Sequence, residues 1–293
     1  MPCGNCSPSG YLPLLARAKK SIDYRDLLYN LVVRDLKVRY KHSALGFFWS
    51  LLNPLLLMLV FTFVFQQLLR SDASNPGRPM YHVFFLTALL PWNWNSAAVV
   101  GTLGSIVNNG HLIKKIFFPR ELLPVSVVMS NMINYLLSLP ALLLFMLLFR
   151  PESVGPPFGA ACTHVCINPN MLWLPLLILT QTVFLLGLGF FLSALNVFFR
   201  DTSVLVEVGL SAWFFLTPII YDAKEVVGNL ANIMYWVNPM ASIVANYRDI
   251  FYYNAAGSPD LGFMLRNLAV CSVLLVLGYM FFMRFSRNFG EEV

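Results

Sequence analysis

YRDLLYNLVVRDLKVRYKHSALGFFWSLLNPLLLMLVFTFVF, residues 24 to 65, is a basic amphipathic segment that runs without a linker into an apolar one. In its first half Tyr24, Leu27, Leu28, Leu31, Val32 and Leu36 recur at the three-and-four spacing of one helix face, while Arg25, Asp26, Arg34, Lys37, Arg39 and Lys41 mostly fall elsewhere. Such a helix can lie on a bilayer, its apolar stripe at the acyl boundary and its cations among the phosphates. In the second half no Asp, Glu, Lys or Arg occurs between Lys41 and Arg70. About 20 apolar residues suffice to cross a hydrocarbon core about 30 Å thick. One piece lies on the membrane and the next enters it.

The rest of the chain agrees. It is 58% hydrophobic and 12% charged, against roughly 25% charged in soluble domains, so the fold class is an all-α integral membrane protein. Uncharged runs place spans near residues 44–69, 81–104, 122–149, 171–197, 203–221 and 264–284. The Pro-, Gly- and Cys-rich stretch VGPPFGAACTHVCINPN before the fourth span reads as a loop. Residues 1–43 then form a cytoplasmic N-terminus with the amphipathic interface helix, and residues 44–293 a membrane domain. Between the fifth and sixth spans, Val226 to Tyr247 is interrupted by Asn229, Asn232, Asn238, Pro239 and Asn246. Two half-helices dipping back from the outer face, a re-entrant hairpin beside a pathway, fit it better than a seventh crossing.

With both termini cytoplasmic, fourteen of the 20 Lys and Arg residues fall inside and six outside, the asymmetry of the positive-inside rule. The net charge of +6 is therefore loop charge, and nucleic acid is not an expected partner. The long polar N-terminus does not read as a cleavable signal. Cys3 and Cys6 form a CxxC lacking further metal ligands, so no metal site is assigned. Cys162 and Cys166 lie in the outer loop, where a disulfide and free thiols are both open readings. Cys271 reads as a small core residue.

Between the second and third spans, NNGHLIKKIFFPRELLP (108–124) sets Leu112, Ile113, Ile116 and Phe117 on one face with Lys114, Lys115, Arg120 and Glu121 around them, and Pro119 stops the helix. A positive-inside loop explains the lysines but not exposed Ile116, Phe117 and Phe118; apolar side chains on such a loop mark a docking surface.

RYKHSALGFFWSLLNPLL (39–56), LIKKIFFPRELLP (112–124), LSALNVFFRD (192–201) and FLTPIIY (215–221) together closely resemble the matching stretches of ABC-2 type permeases. The nearest branch exports lipid-linked polysaccharides, including O antigen, capsule and wall teichoic acid. The likeness runs in order from about Tyr24 to about Phe285; residues 1–20 and the loop from Pro151 to Asn170 stand outside it. The resemblance implies six spans per protomer, a homodimer, and two copies of a separate ATPase that binds ATP and Mg, with no cofactor in this chain. It also implies that Tyr24 to Ser43 is an interface helix, that Val226 to Tyr247 is the re-entrant pair at the outer mouth, and that Asn108 to Glu121 is the coupling helix. His111, Leu112, Ile113, Lys114, Lys115, Ile116, Phe117, Arg120 and Glu121 would then contact the ATPase. The residues point the same way, since the sequence has no GxxxxGK[ST] and no Gly-Lys pair to cradle a nucleotide phosphate.

For the cargo, the expected reading is an undecaprenyl-diphosphate-linked glycan moved across the bacterial inner membrane through a channel between two protomers. Trp92, Trp94, Tyr135, Trp213, Phe214, Phe215, Tyr221, Tyr235 and Trp236 are the aromatic side chains on which sugars can stack, and for each the competing reading is an interfacial belt residue. Lys37, Arg39 and Lys41 stand at the cytoplasmic boundary. Attraction to anionic membrane lipids explains the two lysines, whereas the Arg39 fork suits a diphosphate. Glu207 is the clearest acid in an apolar run, and an interfacial ion pair with Arg200 and Asp201 outweighs a proton relay.

Two alternatives keep their place. One is an ABC-2 exporter of a drug, peptide or lipid. The other is a membrane-embedded envelope transferase, for which Asp222, Glu225 and Asp249 look too scattered in sequence. This chain is expected to be a transport subunit and not an enzyme.

Overall fold

A computed structural model describes residues 24–41, 48–63, 81–115, 118–148, 169–253 and 260–289. Cys3, Cys6, Cys162 and Cys166 lie outside the described residues.

The main elements are α1 (Arg25–Tyr40), α2 (Phe48–Thr62), α3 (Tyr81–Leu103), a short α4 (Gly110–Lys115), α5 (Leu122–Leu148), α6 (Leu174–Phe198), α7 (Thr202–Leu216), the small helices α8 (Ala223–Val227), α9 (Ala231–Val237) and α10 (Pro239–Arg248), and α11 (Leu261–Phe285). No strand occurs among the described residues. Four helices, Val83–Leu103, Leu122–Leu144, Asn170–Phe198 and Leu261–Phe285, are long and apolar enough to cross a bilayer. Of the expected first span only Phe48–Thr62 is described as α-helix.

The fifth expected span, 203–221, is too long. α7 has 15 residues, about 22 Å of rise, and ends at Leu216 because Pro218 pushes Thr217 into extended backbone (φ −96°, ψ 132°). The next helices start on side-chain caps. Asp222 accepts from the Lys224 amide, Asn238 from those of Met240 and Ala241, and Asp260 from that of Phe263.

Side-chain pairs fix the helix directions. Trp94 stacks on Tyr135, and a Cβ on Gly101 would meet Val127, so α3 and α5 run antiparallel. Gln181 donates to the Pro91 carbonyl at 2.8 Å and Asn196 to that of Leu103 at 2.9 Å, so α3 and α6 run parallel. Phe190 meets Phe282 and Phe198 meets Phe285, so α11 runs parallel to α6. The result is a bundle with two ends. A basic end gathers α1, α4 and the last turns of α3, α6 and α11; a hairpin end holds α8 to α10 and the start of α3.

The most extensive helix pairing is α6 with α11. Its centre is a Gly187–Gly278 crossing: a Cβ on Gly187 would sit 2.8 Å from the Leu275 amide nitrogen, and one on Gly278 would collide with the Gly187 carbonyl. Small residues let membrane helices approach to backbone contact, where dispersion takes over from the weak hydrophobic drive available in lipid.

α1 corrects the reading of its apolar stripe. Leu31 and Val32 are buried, and Tyr24, Leu27, Leu28 and Leu36 are half-buried. Leu31 and Val32 of the stripe pack on the protein, toward α5 and a core of Ile106, Phe118, Phe190, Phe282 and Phe289. An amphipathic helix buries its stripe on whichever apolar surface is nearest, and here the bundle supplies it. Phe118, expected to be exposed, is 8% exposed in the same core.

Candidate functional site

At the basic end, α4 is held from both sides. Before it, Arg34 on α1 donates to Asn109 Oδ1 at 3.0 Å. After it, Phe118 is buried and Arg120 donates to the Ser286 carbonyl just past α11. Leu112 and Ile113 are half-buried against the core, while His111, Lys114 and Lys115 are exposed and Glu121 is half-buried. Ile116 and Phe117 lie outside the described residues. α4 is thus a short helix with half-buried apolar side chains on one side and exposed basic ones on the other, flanked by ties to α1 and to the end of α11.

Arg39, Lys37 and Lys41 are exposed near the junction of α1 with α2. Arg39 Nη2 donates to Asn131 Oδ1 at 2.9 Å, and Asn131 Nδ2 in turn donates to the Val127 carbonyl. The guanidinium therefore links α1 to α5, leaving its other edge toward solvent. Glu207 is exposed on α7 and forms no ion pair with Arg200. That corrects the expected interfacial pair: Arg200 and Asp201 precede α7, whereas Glu207 lies more than a turn into it.

The aromatic side chains fall into separate groups. Trp94 and Tyr135 are buried, with ring centroids 5.0 Å apart at 18°, and Tyr135 meets Tyr247 edge-on at 6.0 Å. Their faces are spent on one another. Trp92 meets Trp213 at 5.8 Å and Phe214 at 5.7 Å, both edge-on, and Phe214 meets Phe215 at 5.3 Å. Trp92, Phe214 and Phe215, with Ser96, Leu210 and Ser211, line an open cavity of about 350 Å³ between α3 and α7. Phe215 is 67% exposed at its rim. Trp213 lines no part of it, and its indole N–H is taken by Asn238 Oδ1 at 3.0 Å.

The hairpin end holds residues the sequence reading missed. Arg248, counted only as an outer cation, is buried and lies 3.6 Å from the Phe84 ring centroid. It donates to the carbonyls of Ile219 at 2.7 Å and Tyr221 at 3.1 Å, while Tyr81 Oη donates to that of Ile220 at 3.0 Å. Three successive carbonyls of FLTPIIY are thereby satisfied without secondary structure, as buried backbone requires. Tyr221, half-buried, donates its own hydroxyl to the Phe215 carbonyl at 3.1 Å. Asn238, seen only as a helix breaker, caps α10 and donates to Thr217 Oγ1 at 3.1 Å, joining the hairpin to α7. An Asn-Pro pair opening a helix was the available signal.

Asp222 and Asp249, far apart in sequence, come near each other here. Tyr253 donates to the Asp222 carboxylate, and the Asp249 carboxyl is pushed up to about 6, first by burial, with Lys224 pulling down and Asp222 pushing up. Burial likewise pushes the Tyr235 phenol up to about 12. Asp222 caps α8 and accepts the Tyr253 hydrogen bond, so it serves the hairpin's own structure.

Residues 26–252 match the family model described as ABC-2 type transporter. The chain is 35% identical over 282 residues to an O-antigen export system permease protein RfbA of Myxococcus xanthus, covering 96% of this chain and all of that protein. It is 31% identical over 269 residues to a Klebsiella pneumoniae protein of the same name, covering 91% of this chain and 94% of that one. A second Klebsiella pneumoniae RfbA is 32% identical over 229 residues, 77% of this chain and 80% of that one. Together with a helical bundle that has four bilayer-length apolar helices, these likenesses place the chain in the ABC-2 type transporter family, as a multi-pass membrane permease of its polysaccharide-exporting branch.

Proposed function

We propose that this chain is the membrane half of an exporter that moves an undecaprenyl-diphosphate-linked glycan across the bacterial inner membrane, with both termini cytoplasmic and six crossings. Two copies form the channel, and two copies of a separate ATPase drive it from the basic end. What supports the reading is the pairing of two features in one bundle: a short basic helix tethered at the basic end, in a sequence with no nucleotide-binding loop, and an aromatic cavity with two serine hydroxyls midway along α3. Motion imposed on α4 reaches α1, α5 and α11 through Arg34–Asn109, Phe118 and Arg120–Ser286, a contiguous set able to shift as one body.

For the glycan, Trp92, Phe214 and Phe215 offer π-faces and edges without a fixed donor–acceptor pattern, which suits a polymer that must slide. Ser96 and Ser211 spend their protons on the Asn93 and Glu207 carbonyls and keep lone pairs for sugar hydroxyls. The solvent edge of Arg39 is placed for the diphosphate. Trp94 and Tyr135, whose faces are occupied, serve better as the wall behind the cavity.

Phe215→Ser is the informative variant, because the ring is exposed and its loss leaves the core intact. Loss of one stacking contact is worth about 1 kcal/mol, or roughly fivefold. Surface glycan, read by antibody or lectin on whole cells, is expected to fall by about that factor while membrane levels and ATPase copurification stay at parental values. Unchanged surface glycan at normal protein levels would remove the cavity from the glycan's path.

A further inference from the structure

Arg266 sits in the second turn of α11, inside a helix apolar enough to cross a bilayer. Its guanidinium carbon lies 4.3 Å from the Trp236 ring centroid on α9 and 4.4 Å from that of Phe263 on α11, so two rings grip its plane. Nη2 makes long contacts with Ser242 Oγ at 3.4 Å and Asn267 Oδ1 at 3.3 Å. Nε and Nη1 are not used in those contacts, and among the described residues no carboxylate forms an ion pair with the group. A cation that pairs with no carboxylate of the described residues, in the outer turns of an apolar helix, is open to an anion.

The surroundings indicate what carries that anion. Leu230, Ile233, Trp236 and Val237 of the α9 region are exposed, and so are Leu261 and Leu265 beside Arg266. α10, by contrast, is buried along nearly its whole length. The hairpin therefore hides its second helix and presents the first as an apolar surface around one oriented guanidinium, with a tryptophan at the edge where rings of that kind meet headgroups. The sugar part of the proposed cargo offers no hydrocarbon for Val237, which is 78% exposed, and its polyprenyl diphosphate brings a single chain where apolar side chains stand on two helices, Ile233 and Val237 on α9 and Leu265 on α11. A molecule with both a phosphate and hydrocarbon chains matches both halves of the patch.

We propose that α9 and the first turns of α11 form a phospholipid site in which Arg266 takes the headgroup phosphate and Ile233, Val237 and Leu265 take the acyl chains. The clamp between Trp236 and Phe263 holds the guanidinium fork toward the phosphate and removes the rotamer entropy that a free arginine would lose on binding. The bound lipid seats α9 at the bilayer surface while α10 stays packed in the bundle.

Native mass spectrometry of the detergent-solubilised full chain, titrated with phosphatidylglycerol, tests this. One lipid per chain is expected to bind ahead of all others. Arg266→Gln should weaken that first binding about tenfold, the scale of lost charge-assisted hydrogen bonds. Lys224→Gln, which removes another cation of the same end, should leave it unchanged. Val237→Asn should also weaken it without altering the thermal melt, which covers the case in which Arg266→Gln unfolds the hairpin. Inorganic phosphate should not displace the lipid. Equal binding by Arg266→Gln and parent would overturn the proposal, as would displacement by inorganic phosphate, by soluble glycan or by a polyprenyl diphosphate at equal concentration, or loss of chain–chain association in place of lipid.

Discussion

Gly278→Leu is expected to leave no folded protein in the membrane, and Gly278→Ala to lower the melting temperature by about 10 °C, the shift that roughly 3 kcal/mol of overpacking produces in a chain of this size. The crossing partner is backbone. A Cβ on Gly278 would collide with the carbonyl of Gly187, and one on Gly187 would press on the Leu274–Leu275 peptide. No side chain can rotate away, so α6 and α11 must separate along their length. That separation would also disturb the pairs of Phe190 with Tyr279 and Phe282 and of Phe198 with Phe285 and Phe289, which close the basic-end core. Gly209 provides the internal comparison: a Cβ there meets nothing within 4 Å in the chain, so Gly209→Ala should melt where the parent does. Equal melts for Gly278→Ala and Gly209→Ala in a detergent-based thermal assay would show that the crossing is not tight.

Ile116→Asp is expected to abolish copurification of the ATPase and surface glycan together, while membrane insertion and thermal stability stay at parental levels. Truncating an anchor at the centre of an interface costs about 2–4 kcal/mol, and a buried carboxylate costs more, so binding should fall at least a hundredfold, in round terms about 3 kcal/mol. The flanks sharpen the expectation. Leu112 and Ile113 pack partly into the basic-end core, and Phe118 is buried in it, so charging Leu112 should damage the fold as well. A docking residue must separate the two effects. An unchanged pull-down for Ile116→Asp would dissociate the α4 segment from the partner.

Much of this architecture is legible in the chain because an uncharged apolar run has few homes other than a bilayer; α3, α5 and α11 lie on such runs, and the start of α6 is marked by the Pro-, Gly- and Cys-rich stretch before it. What α1 packs on is not legible, since Leu27, Leu31 and Val32 present the same periodicity to acyl chains as to a protein wall. Pro218 marks the early end of α7, a signal that the 203–221 span runs past. Tertiary facts were out of reach. Gly187 and Gly278 look like ordinary helix glycines until their helices cross, and Arg248 looks like a loop cation until Phe84 and the carbonyls of Ile219 and Tyr221 surround it. Trp92 and Trp94 are indistinguishable in sequence, yet a displacement of two residues on a helix turns one toward the α7 cavity and the other against Tyr135.

The central claim is that this polypeptide supplies a path and a lever, and that its energy arrives through the α4 segment from another chain. The direct measurement is ATP-driven transfer of lipid-linked glycan across the membrane of proteoliposomes holding the purified chain, with and without the ATPase. Transfer is predicted only when both are present, and it should vanish when the chain carries Ile116→Asp. Transfer by this chain alone, or undiminished transfer with Ile116→Asp, would contradict the account.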